Sequence, residues 1–326
     1  MRRSRVPIAA LTLGALLLAT TGGAARATFP GSAGRIAYLH FVPAIEQGWI
    51  FTANPDGSHE SVLVDKDSGA PDFSPDGRLV AFEFVASNGC TDEACEIEIG
   101  LISSDGTGFR QLTSGDPGFR FHPSWSPDGR RLVIVRPDGI WTIDAATGGD
   151  ERQVTNNPDI EDRAPTWSPD GQWIVFTRVV KGGKHEDSAL FRIHPDGSGL
   201  KRLTPWGMQA DQADWAPDGG RIAFNTRGAG APSRIGTIRP DGSGLAYIVN
   251  SNGDDDFHDP SWAPDGSRLI FQGWLVGQTP IPPHPARERA LWIVNADGTD
   301  LHRIKGAGPG GPDYLDPEWG SAPLAG

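Results

Sequence analysis

A five-residue motif that returns along most of the chain limits the possible folds more than any other feature. It reads aromatic, small, Pro, Asp, Gly, at residues 73–77, 125–129, 167–171, 215–219 and 262–266, with a degenerate copy at 319–322. Its aromatics, Phe73, Trp125, Trp167, Trp215, Trp262 and Trp319, stand 52, 42, 48, 47 and 57 residues apart. Self-similarity at such a period marks an architecture of stacked units. Each Asp-Gly is followed by an apolar run, such as Leu79-Val80-Ala81-Phe82 or Leu132-Val133-Ile134-Val135. A second run leads to another Asp-Gly, as at Asp196-Gly197, and a third closes on Leu-Thr, as at Leu112-Thr113 and Leu203-Thr204. The chain holds eleven Asp-Gly dipeptides, which accept the positive φ of tight hairpin turns. Four short strands per unit of this length make a blade of a β-propeller.

Composition agrees with this reading. The 43 Gly and 28 Pro disfavour long helices, while 11 Trp and 14 Phe are more large aromatics than a disordered chain carries. The two ends then supply one divided unit. Residues 34–38 match the strand that follows Asp-Gly elsewhere, and nothing follows the motif at Trp319. The expected fold is therefore all-β: a six-bladed β-propeller of four-stranded antiparallel blades. Its ring is closed by pairing the C-terminal strand with the N-terminal blade. The blades are predicted near residues 34–67, 71–115, 123–157, 165–206, 213–252 and 260–307, with the closing strand near 314–320.

Residues 1–27 read as a signal peptide, leaving 28–326 as one propeller domain. Arg2, Arg3 and Arg5 precede an apolar run from Ile8 to Ala19, and Ala25-Arg26-Ala27 is an A-x-A cleavage site. The expected location is periplasmic or extracellular, with no transmembrane segment after cleavage. The net charge of −12 falls further once the leader's arginines are lost, leaving 25 basic against 41 acidic residues. That excess of acid excludes sequence-independent nucleic-acid binding, which needs a basic face. In an exported chain Cys90 and Cys95 are expected to form a local disulfide.

The motifs [Trp/Phe]-[Ser/Ala]-Pro-Asp-Gly and Asp-Gly followed by Leu-Thr resemble the WD40-like repeats of the TolB family, over nearly the whole mature chain. The resemblance implies a propeller whose usual role is protein–protein interaction. The repeats begin so soon after residue 27 that the α/β domain preceding the propeller in the family's periplasmic translocation protein is expected to be missing. Membership of a Tol–Pal system therefore does not follow from the resemblance.

The recurring aromatics read as packing between sheets, and the recurring Asp and Gly as turn formers. The segments just before each aromatic connect one blade to the next and, by family resemblance, approach the axis. Three and four residues upstream stand Gly69-Ala70, Phe121-His122, Arg163-Ala164, Asp211-Gln212, His258-Asp259 and Leu315-Asp316. His122, Arg163, Asp211, Gln212, His258, Asp259 and Asp316 are thus the binding candidates at the channel mouth. They either hold a protein, peptide, sugar or metal ion, or only bond neighbouring backbones around a wet channel. Asp254, Asp255 and Asp256 form a carboxylate cluster that is either a Ca²⁺ candidate or a solvated acidic loop. The proline-rich residues 280–285 are expected to be extended and exposed.

No catalytic motif is present. A G-x-S-x-G elbow is missing, as is the length to house a hydrolase domain. The main expectation is a monomeric, non-enzymatic module binding a protein or peptide, without a cofactor. The alternative is a metal-dependent polysaccharide lyase using His122 and His258 with Asp211 or Asp259.

Overall fold

The computed structural model describes residues 29–42, 47–86, 96–115, 119–157, 160–180, 187–226, 233–250, 256–274, 289–306 and 313–322. Within them lie six four-stranded antiparallel sheets and one short 3-10 turn, Trp206–Met208. Blade 1 takes its first strand from the C-terminus: Tyr314–Ser321 pairs with Ala33–Val42, followed by Gln47–Ala53 and Ser61–Val64. Blades 2 and 3 begin with Ser68–Phe73 and Phe121–Trp125, and blades 4, 5 and 6 with Ile160–Trp167, Ala210–Trp215 and Asp256–Trp262. The first strands touch one another in a closed cycle from blade 1 to blade 6 and back. They therefore surround the axis. The fold is a six-bladed propeller whose ring is closed by the C-terminal strand.

Each blade buries both faces, so its second and third strands need continuous apolar runs rather than alternation. In blade 2, Val80 and Phe82 join a core shared with Ala37 and Ile50 of blade 1, while Ala81 faces the cluster containing Trp125 of blade 3. Similar cores lie between the other neighbours. The aromatics that close the first strands, from Phe73 to Trp319, are all buried there.

The turns follow from side-chain chemistry. The Ser74, Ser126 and Ser168 hydroxyls donate to the Asp76, Asp128 and Asp170 carboxylates, 2.5–2.6 Å away. The adjoining Gly77, Gly129 and Gly171 have φ of +67° to +70°, where a side chain would be strained. In the outer hairpins, Asp56, Asp105, Asp196, Asp241 and Asp297 accept hydrogen bonds from the Ser or Thr two residues on, which hold these carboxyls below their ordinary value. Part of the chain's acidity is thus turn chemistry.

The Leu-Thr endings also acquire a cause. Fourth strands such as Lys201–Arg202 are only two residues long. The hydroxyls of Thr113, Thr155 and Thr204 accept the N–H groups of Ile99, Ile140 and Leu190, where the short strand no longer supplies a carbonyl.

One expectation needs correction. The first strands of blades 2 to 6 begin two to five residues before the predicted blade starts, at Ser68, Phe121, Ile160, Ala210 and Asp256. In blades 2, 3, 4 and 6 a proline, Pro71, Pro123, Pro165 or Pro260, lies inside the strand at a bulge.

Candidate functional site

Every first strand carries that bulge at the same place. In blade 5, Asp211 pairs with Asn225 and Asp214 with Ala223, so Gln212 and Ala213 together oppose one residue. Equivalent register shifts occur in the other five blades. The third residue before each aromatic sits in the left-handed region: Ala70, His122, Ala164, Gln212, Asp259 and Asp316 have φ between 47° and 52°. None is glycine, so each bears a conformational cost of about 1–3 kcal/mol. The next residue is proline in every blade but blade 5, at Pro71, Pro123, Pro165, Pro260 and Pro317. Proline has no N–H to leave unpaired at the extra position.

The bulge turns the preceding N–H toward the neighbouring blade. Glu83 accepts the His122 N–H at 2.9 Å, Thr177 that of Gln212 at 3.2 Å, and Gln272 that of Asp316 at 3.2 Å. The Asp259 N–H reaches Gln212 Oε1 at 3.4 Å. Glu83, Thr177 and Gln272 escaped notice in the sequence, although each stands ten residues after its blade's aromatic. That shared offset was the available signal.

A second set of bonds ties the blades at the aromatic end. The Trp125 and Trp262 N–H groups donate to the buried carboxylates of Asp72 and Asp214, each at 2.7 Å. The Trp319 N–H donates to Ser261 Oγ at 3.2 Å, and that hydroxyl donates to Glu318.

The binding candidates occupy the bulge end. Arg163 of blade 4 donates to Asp211 of blade 5 at 2.7 Å, and His258 Nε2 lies 2.7 Å from Asp256. Gln272 Nε2 donates to Asp259. Asp211, Gln212, His258 and Asp259 are buried, whereas His122, Arg163 and Asp316 keep partial access to solvent. The structure thus joins Arg163 to Asp211 and Gln212 to Asp259, but separates His122 and His258 by three blades, across the ring.

Four residues before the aromatic, blades 1 to 3 carry Leu315, Gly69 and Phe121, and blades 4 to 6 carry Arg163, Asp211 and His258. One residue further on, Asp316 and His122 add partly open polar groups to blades 1 and 3, while Asp211 and His258 are buried, so the open polar groups, His122, Arg163 and Asp316, are spread around the ring. Among the described residues, no group of three or more His, Cys, Asp or Glu side chains is placed to hold a metal ion. Asp254, Asp255, Cys90, Cys95 and the 280–285 segment lie outside the described residues.

A model of the TolB beta propeller domain family matches residues 34–321. Among solved structures, TolB from Acinetobacter baumannii superposes with a TM-score of 0.68 at 22% identity, over 90% of this chain and 68% of that one. A putative TolB from Agrobacterium tumefaciens gives 0.61 at 20% identity, over 89% and 99% of the two chains. An oligogalacturonate lyase in complex with manganese gives 0.52 at 16% identity, over 84% and 74%. At these identities the structural likeness establishes the fold alone. No curated protein matches the sequence.

Proposed function

The chain belongs to the TolB beta propeller domain family, and from that premise we propose that it is a non-catalytic module binding another protein or a peptide at the bulge end of its axis. One observation carries this reading. All six blades hold the same strained bulge in the same frame, yet the residues displayed there differ from blade to blade. Uniform packing accounts for the repeated Trp, Pro, Asp and Gly, but not for Arg163, His122 and Asp316 kept partly open around the axis. A cation, an imidazole and a carboxylate left partly open around the axis suit a segment that carries polar or charged groups.

The proposal includes export, with residues 1–27 as the leader, a location in the periplasm or outside the cell, and a monomeric chain. No helix among the described residues is long and apolar enough to cross a membrane. It requires no cofactor. The metal-dependent lyase alternative gains little, because its two histidines stand across the ring from each other and Asp256 engages His258.

The test is affinity capture from the native secretome with the exported chain as bait. One stoichiometric partner is expected, lost with Arg163→Ala or His122→Ala and kept with Leu245→Ala on the exposed outer rim. Recovery indifferent to all three changes would remove the axial site from consideration. Stoichiometric transition metal in the purified protein, lost on replacing His122 and His258, would instead revive the lyase.

A further inference from the structure

Residues 29–32 precede the stretch matched by the family model and lie where the first strands end. Their main chain is tied to blades 6 and 1. The Gly31 N–H donates to the Pro264 carbonyl at 3.1 Å, the Ser321 hydroxyl donates to the Phe29 carbonyl at 3.1 Å, and the Ala322 N–H donates to the Ser32 carbonyl at 2.8 Å. The chain passes closely over the end of the closing strand, so that a Cβ at Gly34 would meet the Ser321 carbonyl oxygen at 2.6 Å. The Phe29 ring does not stay with blades 6 and 1. It joins the apolar cluster that blades 2, 3 and 4 build around Trp125 and Trp167, and it is 5% exposed.

The first strands line the axis. A segment tied to blades 6 and 1 on one side, and buried in the cluster of Trp125 and Trp167 on the other, spans that end of the ring. We propose that Phe29 is an axial seal. It shuts the ring at the aromatic end, so that a partner reaches the axis only from the end carrying the bulges. This makes the site one-ended: a segment docks from one face and does not thread through. The inference rests on the placement of Phe29, independent of any partner's identity.

The two sets of interblade bonds provide the test, because one lies at the bulges of the first strands and the other at the aromatics three residues further on. Hydrogen exchange is followed at the Trp125, Trp262 and Trp319 amides at the aromatic end, and at the His122, Gln212 and Asp316 amides at the bulge end. Phe29→Ala is expected to speed exchange in the first set by about tenfold or more, the scale of a local opening, and to leave the second unchanged. No change in either set would mean that the segment lies on the ring without sealing it. An equal rise in both would mean that Phe29 contributes only to global stability. Either result overturns the proposal. If the alanine variant does not fold, Phe29→Leu supplies the same comparison with a smaller apolar side chain.

Discussion

Ala164 shows at one residue what the bulge demands. It has φ of +50° and is fully buried, and Ala189 in the third strand of the same blade is equally buried in extended backbone. Removing a methyl costs about 0.8 kcal/mol of burial at either site. Glycine in an ordinary strand adds a further entropic loss of roughly 0.5–1 kcal/mol. At Ala164 the substitution also relieves a left-handed conformation worth about 1–2 kcal/mol. Ala164→Gly is therefore expected to be near neutral in urea unfolding, while Ala189→Gly lowers the midpoint clearly. Equal losses would show that the bulge stores no strain at this residue. The same conformation explains why these positions were hard to read in sequence. Ala70, Ala164 and Gln212 are not residues whose presence announces positive φ before a buried strand end, as the glycines of the Asp-Gly turns do.

Strands and turns were legible where one element carries its own signal. Asp-Gly sets hairpins, apolar runs fill two-faced sheets, and both recur at offsets fixed by the aromatic. The beginnings of the first strands were less legible, since Pro71, Pro123, Pro165 and Pro260 lie inside them and only the bulge explains how a strand accommodates them. The Leu-Thr endings were visible as a motif, but their purpose needed the sheet. Thr204 is 1% exposed, and its hydroxyl is the acceptor for the Leu190 N–H. Thr204→Val keeps the shape and removes the acceptor, leaving a buried donor unmet. The expected loss is about 1–3 kcal/mol. Chemical unfolding of this variant beside Thr204→Ser, which restores the hydroxyl, separates the hydrogen bond from the methyl. A valine variant as stable as the parent would leave the motif with a packing role alone.

At the scale of the whole ring, the number of blades followed from counting units and the manner of closure from matching two incomplete ends. The candidate site was legible only in part. Its positions could be found by offset from the aromatics, but the pairing of Arg163 with Asp211, or of Glu83 with the His122 amide, joins residues of different blades that no local pattern relates. The closure itself makes a further prediction. Beyond the pairing of Tyr314–Ser321 with Ala33–Val42, the junction of blades 6 and 1 is bridged by Glu60, which accepts from Tyr38 at 2.6 Å and pairs with Lys305 at 2.5 Å. Burial opposes ionisation of Glu60, yet the hydrogen bonds from Lys305 and Tyr38 outweigh it and hold its carboxyl below the ordinary glutamate value. A carboxyl depressed in the folded state stabilises above its unfolded pKa of about 4.3, and that stability is lost as the pH falls through the folded value. Both side chains remain partly exposed, so solvent screens the pair and the expected contribution at pH 7 is about 1 kcal/mol or less. Glu60→Gln is thus expected to lower Tm slightly at pH 7 and to converge with the parent at acid pH, as the parent's own carboxyl becomes protonated below the ordinary glutamate range. A deficit of the same size at both pH values would assign the loss to packing at the junction and not to the charge that helps close the ring.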